Sequence, residues 1–134
     1  MEWRQDFSVQ VPALDKDHQI LAGCVTEIEQ AVAKGQTSSI VNSAIRQLIK
    51  LARTHFNQEV DLMRIRDYPG IGAHIKDHKA FLAELEALER KSLAGRLSNE
   101  TVEFLHTWLE QHLLSYDKDY ASYFSESARP AEEE

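Results

Sequence analysis

Histidines and carboxylates recur along this chain at spacings that suit metal ions. Four short fragments carry them: Asp17-His18, His55 to Glu59, His74 to His78, and His112 to Asp117. Imidazole binds iron, zinc, copper and nickel, and carboxylates bind hard cations. Five imidazoles and two carboxylates are too many ligands for one ion and about the right number for two. The fragments therefore predict a site for a pair of metal ions.

The four fragments lie on the apolar faces of four predicted helices. We place helix A from Asp15 or Lys16 to Lys34, with Asp15 as its cap and Gly35 as its stop. Helix B follows a cap at Thr37, Ser38 or Ser39 and runs to about Arg66, before Tyr68-Pro69-Gly70. Helix C spans about Ile71 to Leu93, before Gly95, and helix D starts near Ser98 or Asn99. Apolar residues recur at steps of three and four in each, as in helices that share a core.

Short connections between these helices favour antiparallel neighbours, and so an all-α, up-down-up-down four-helix bundle with an N-terminal arm. In such a bundle the start of helix A, the end of B, the start of C and the end of D all lie at one end. His18, His55, His74 and His112 occupy those four places. The sequence therefore predicts that the metal-binding side chains converge.

A lone histidine on an apolar face is usually an ordinary core residue. Each buried imidazole must find partners for its ring nitrogens or lose roughly 1–3 kcal/mol per unsatisfied group. Five of them in one small bundle would be costly without a common ligand. The sixth, His106, lies off the apolar face of helix D, and we expect it to be a surface or flanking residue.

Composition limits the other possibilities. The chain has 134 residues, of which 43% are hydrophobic and 28% charged, with a formal charge of −7. This suits one globular domain, predicted at 1–127, followed by a disordered acidic tail at 128–134. The acidic balance argues against nucleic acid as a partner, and no apolar run is long enough for membrane insertion. Absence of a signal pattern at Met1 and a single cysteine, Cys24, lead us to expect a cytoplasmic protein.

These residues resemble the hemerythrin family, in particular its bacterial single-domain members. The resemblance covers Trp3 to Phe124 and is carried by Leu14-Asp15-Lys16-Asp17-His18, His55-Phe56 through Glu59, Met63 with Tyr68-Pro69, His74 to His78 with Phe81, and Trp108-Leu109-Glu110-Gln111-His112 with Asp117. It implies two irons bridged by Glu59, Asp117 and a solvent-derived oxo or hydroxo group. One iron would take His74, His78 and His112; the other would take His18 and His55 and keep an open position for dioxygen.

The function implied by the resemblance is reversible dioxygen binding, for transport, storage or delivery, and not enzymatic turnover. Apolar side chains near the ligands would wall the open position: Leu21, Phe56, Met63, Phe81, Trp108 and Leu109. Three alternatives remain open at this stage. They are an oxygen or redox sensor that acts through an unknown protein partner, a di-iron enzyme of the peroxidase or nitric oxide reductase type, and a metal-free helical interaction module.

One ligand conflicts with ideal helix geometry. His112 and Asp117 are five residues apart, which is about 140° around an α-helix, whereas Asp119 would share a face with His112. The family pattern nevertheless selects Asp117. A single wide turn would bring Asp117 round to the metals, and such π-bulges occur mostly at functional sites. We therefore predict a wide turn or break at residues 112 to 117, with Asp119 facing away.

Overall fold

Four helices joined by short connections make up the structure. The computed structural model describes residues 5, 8, 12–95, 97–112 and 114. Helix α1 spans Pro12–Ala33, α2 Ser38–Ile65, α3 Ile71–Leu93 and α4 Asn99–Gln111. Helix α2 packs against α1 and α3, and α4 packs against α1. This is the all-α four-helix bundle that the sequence predicts.

Helix α1 begins earlier than the sequence suggested. We expected Asp15 as the cap, with an arm up to residue 14, but the helix starts at Pro12. Proline suits the first helical position because its fixed φ is already helical and its missing N–H would have no helical acceptor. Asp15 instead lies in the first turn, where it accepts a 2.6 Å hydrogen bond from the Ser8 hydroxyl. The rest of the arm and the acidic tail 128–134 lie outside the described residues.

The other helix ends follow the predicted caps and stops. Thr37 accepts a hydrogen bond from the Ile40 N–H, and Ser98 accepts one from the Thr101 N–H, each at 3.3 Å. Gly35 and Gly95 have positive φ angles of 65° and 72°, as glycines just beyond a helix often do. These local signals fix where α2 and α4 begin and where α1 and α3 end, and therefore the height of the helices in the bundle.

The α2–α3 connection is tight. Asp67 has a φ of 53°, and a Cβ added to Gly70 would lie 2.7 Å from the Tyr68 ring. A larger residue at position 70 would therefore force that ring away. This turn holds the end of α2 beside the start of α3, where four of the predicted ligands lie.

The apolar faces of the four helices meet in one continuous core. Its residues exposing 1% or less are Val25, Ile28, Ile45, Leu48, Ala52, Leu85 and Leu105. A smaller apolar cluster, made of Leu14 and Met63, lies at the end of the bundle near the α2–α3 connection. None of the described helices is long and apolar enough to cross a membrane.

Candidate metal centre

The structure brings six of the seven predicted ligands together in the interior of the bundle. Glu59 is fully buried, and each of the five histidines has a relative exposure of 4% or less. They come from α1 (His18), α2 (His55 and Glu59), α3 (His74 and His78) and the residue that follows α4 (His112). The seventh, Asp117, lies outside the described residues.

These side chains form two groups that share one carboxylate. Glu59, His74, His78 and His112 make one group, and His18, His55 and Glu59 make the other. Within each group the potential ligand atoms all lie within 4.8 Å of one another. The sharing of Glu59 is what makes this an arrangement for two neighbouring cations.

Glu59 lies between histidines of three helices. Its Oε1 is 2.9 Å from His55 Nε2 and 3.5 Å from His78 Nε2, while its Oε2 is 3.6 Å from His18 Nε2. His55 and Glu59 are one helical turn apart on α2, which places both on the same face. Oε1 therefore lies between a histidine of each group, and Oε2 faces the second histidine of the two-histidine group, so the carboxylate contacts both groups, as a bridging ligand requires.

The donor set and its geometry fit a metal pair. His55 Nε2 makes no hydrogen bond to any described residue, although Glu59 Oε1 is only 2.9 Å away. The two atoms are close, but their directions are not those of a hydrogen bond, as expected for ligands that face a common third atom. Imidazole and carboxylate together suit iron. A buried carboxylate beside five imidazoles would otherwise be costly.

Two further carboxylates contact histidines of the cluster at Nδ1, the ring nitrogen that faces away from the cluster. Asp17 Oδ2 lies 3.2 Å from His55 Nδ1, and Asp77 Oδ2 lies 2.7 Å from His112 Nδ1. Neither residue was predicted to belong to the site, although each directly precedes a histidine of the cluster. A carboxylate on Nδ1 leaves Nε2 as the ligand atom, because a neutral imidazole carries one proton.

Aromatic side chains stack on the three-histidine group. Phe56 lies parallel to the His78 ring at a centroid distance of 3.8 Å, and Trp108 lies parallel to His112 at 4.6 Å. Phe81 stacks in turn on the Trp108 ring, at a centroid distance of 3.6 Å. Two predicted pocket residues, Phe56 and Trp108, therefore contact the three-histidine group directly, and Phe81 packs against Trp108.

The aliphatic pocket residues are differently placed. Leu21 lines a cavity of about 90 Å³ beside His55. Met63 is fully buried in the small cluster with Leu14, and Leu109 is buried in the main core. Of the six predicted pocket residues, Leu21 is the one that borders the cavity next to the two-histidine group.

His106 lies outside both groups, as expected for a flanking residue. Its side chain is 37% exposed and contacts two carboxylates, Glu29 Oε2 at 3.4 Å and Glu110 Oε2 at 3.2 Å. The two contacts use different nitrogens of the ring, so both carboxylates could not bind one cation together with His106.

The helix changes its winding at the last described ligand. The α-helical part of α4 ends at Gln111, and His112 and Leu114 have π-helical backbone. This agrees with the start of the wide turn predicted between residues 112 and 117. Asp117 and Asp119 lie outside the described residues, so the choice between them stays a prediction.

Comparisons with known proteins agree with this arrangement. The chain is 30% identical over 118 residues to a myohemerythrin of Riftia pachyptila, covering 88% of each chain. It is 27% identical over 123 residues to a bacteriohemerythrin of Methylococcus capsulatus, covering 90% of this chain and 93% of the relative. A wild-type hemerythrin crystal structure superimposes with a TM-score of 0.83 at 26% identity, covering 91% of this chain and 95% of that one.

A family model matches most of the chain. The model is that of the hemerythrin HHE cation binding domain, and it matches residues 9–124. The match includes all seven predicted ligands and both carboxylates behind the cluster. Together with the four-helix bundle and its buried histidine–glutamate cluster, this shows that the chain belongs to the hemerythrin family of oxygen-binding, non-enzymatic di-iron proteins.

Proposed function

We propose that this chain binds dioxygen reversibly at two irons held by His18, His55, Glu59, His74, His78, His112 and Asp117. The observation that carries the proposal is the unequal division of histidines around Glu59. Three belong to one group and two to the other. The two-histidine position therefore has one protein ligand fewer, which leaves room there for a ligand from outside.

Two iron ions held by these residues would supply a reversible two-electron exchange with one dioxygen molecule. The chain's own residues keep this exchange reversible by excluding water. The cluster residues are almost fully buried, and Leu21 is 3% exposed beside them.

The ligand types also limit the charge that must be buried. Imidazoles are neutral ligands, and Glu59 contributes a single negative charge shared between two positions. In a low-dielectric interior, each uncompensated charge would be expensive. A mostly neutral ligand set therefore limits the charge buried in the metal-free protein, and Glu59, Asp117 and the solvent-derived bridge would balance most of the charge of the two cations.

The ligand that we propose is dioxygen. The proposed location of the protein is the cytoplasm. The single cysteine, Cys24, supports a reducing compartment. The formal charge of −7 is unfavourable for nucleic acid.

The test is to load the protein with ferrous iron under anaerobic conditions, measure iron per chain, and record optical spectra through cycles of air and vacuum. We expect two irons and a colour that appears with oxygen and disappears under vacuum. One iron per chain, or an irreversible oxidation that releases a product, would contradict the proposal.

Matched histidine variants make the assignment residue-specific. His112→Asn should lose at least one iron, because it removes a ligand of the three-histidine group. His18→Asn should impair oxygen binding first, because it belongs to the two-histidine group. His106→Asn is the control and should change neither property; a loss of iron there comparable to His112→Asn would overturn the assignment.

A further inference from the structure

The dipeptide Asp-His occurs twice in the cluster, once on α1 and once on α3. These are Asp17-His18 and Asp77-His78. Successive residues point about 100° apart around an α-helix. The two side chains of each dipeptide therefore cannot reach the same point, and the structure shows how the second one is used.

In both cases the aspartate turns to the neighbouring helix. Asp17 on α1 contacts His55 of α2, and Asp77 on α3 contacts His112 at the end of α4. The histidine of the same dipeptide points into the cluster. Each dipeptide thus supplies one candidate ligand and holds the candidate ligand of the next helix.

We propose that Asp17 and Asp77 are positioning residues that fix the metal-binding tautomer and the orientation of His55 and His112. The proposal rests on the proposed di-iron function, because it treats both histidines as ligands. In each pair Nδ1–H donates to the carboxylate, so that the Nε2 lone pair faces the metal. The negative charge behind the ring also makes Nε2 a stronger donor.

The two pairs are not equivalent. Asp77 is 17% exposed and lies 2.7 Å from its histidine, whereas Asp17 is 34% exposed and lies 3.2 Å away. Charge-assisted hydrogen bonds are stronger when they are short and shielded from water. Trp108 also stacks on the His112 ring at an interplanar angle of 12°. The His112 ring is therefore held at its edge by Asp77 and on its face by Trp108. Of the two aspartates, Asp77 has the greater effect on the orientation of its histidine.

Zinc ions alone are the probe, because zinc is diamagnetic and needs no oxygen chemistry. In the zinc-loaded protein, histidine side-chain ¹⁵N spectra should show protonated Nδ1 and metal-bound Nε2 for His55 and His112. Asp77→Asn should weaken zinc affinity about 10- to 100-fold and shift the Nδ1–H signal of His112. Asp17→Asn should have a smaller effect, confined to His55. Asp77→Glu should recover part of the affinity.

Asp61→Asn is the matched control, because it is the same change at a helix position whose side chain is 72% exposed. Thermal unfolding of the metal-free variants checks that each one folds. The proposal is overturned if Asp77→Asn and Asp77→Ala both fold, keep the control's zinc affinity within twofold and leave the His112 signal unmoved. Failure of the oxygen function is distinct, since it would leave these zinc results intact while the iron protein bound no oxygen.

Discussion

The two halves of this bundle are filled with different kinds of side chain. Toward the Gly35 and Gly95 connections the core is aliphatic, with Ile28, Ile45 and Leu85 fully buried. At the other end, five histidines and Glu59 take the corresponding interior positions. The same helices run through both halves, so the change occurs along each apolar face.

Because of this difference, one half of the bundle mainly stabilises the fold and the other half mainly binds metal. Burying aliphatic side chains contributes about 1.5–3 kcal/mol each, whether or not a metal is present. Burying imidazoles and a carboxylate costs free energy until a cation compensates them. The aliphatic half should therefore stabilise the metal-free bundle, and the histidine half should add stability only when it is loaded.

The largest expected effect is the increase in the free energy of unfolding when metal binds. A ligand that binds only the folded state, at about 100 times its Kd, adds about 2.7 kcal/mol per site. Two sites should therefore raise the free energy of unfolding by about 5 kcal/mol, as measured by urea titration with and without zinc. An increase below about 1 kcal/mol would mean that the histidine half is stable without metal.

Leu48→Ala should come next. Leu48 is 1% exposed in the aliphatic half, and truncating such a residue typically costs about 2–5 kcal/mol. Urea titration of the metal-free variant should show this loss, while zinc stoichiometry, measured under folding conditions, should stay at two. A loss of metal without a loss of stability would break the proposed division between the halves.

Glu59→Gln should change the stability of the metal-free protein only slightly. It should remove most of the increase in the free energy of unfolding that metal binding gives the unsubstituted protein. The change deletes a buried charge, so we expect the free energy of unfolding without metal to change by no more than about 1 kcal/mol, or to rise. Both groups share this residue, so neither metal position should stay intact. Two tightly bound metals in this variant would show that Glu59 is not the bridge.

The smallest effect is expected for His106→Asn. Its contacts to Glu29 and Glu110 are partly exposed, and surface ion pairs of this kind contribute about 0–1 kcal/mol. We expect a change within about 0.5 kcal/mol, and no change in bound metal. A larger loss of stability in the metal-free protein would show that this bridge between α1 and α4 matters to the fold.

Cys24 belongs to the aliphatic half in its chemistry as well as its position. Burial raises the pKa of its thiol above the ordinary value, and the charge of Glu27 raises it further. The thiol therefore stays neutral and packs as a small apolar group. Its pKa argues against a role as a metal ligand, which requires the thiolate.

Local sequence signals predicted most of the fold. Thr37, Ser98 and the glycines after α1 and α3 mark helix ends by their own backbone chemistry, so they could be read without tertiary information. The start of α1 was predicted too late, at Asp15, because an aspartate is a common helix cap. Proline at position 12 also favours a helix start, and the structure shows that the helix begins there.

The site was only partly predictable, for a different reason. Ligand spacing along one helix follows from its period, so His55 with Glu59 and His74 with His78 could be paired from sequence. The contacts of Asp17 and Asp77 cross between helices and depend on how each helix is rotated in the bundle. The repeated Asp-His dipeptide was the available signal, but its meaning requires the neighbouring helix.

The position of Trp108 makes its fluorescence a reporter of metal binding at the three-histidine position. Its indole lies parallel to the His112 ring at 4.6 Å, and the chain's one other tryptophan is Trp3. Iron bound by His112 would lie close enough to the indole to quench its fluorescence. With Trp3→Phe, the remaining emission should come from Trp108 alone, and its intensity would report, without added dye, how many molecules hold iron at that position.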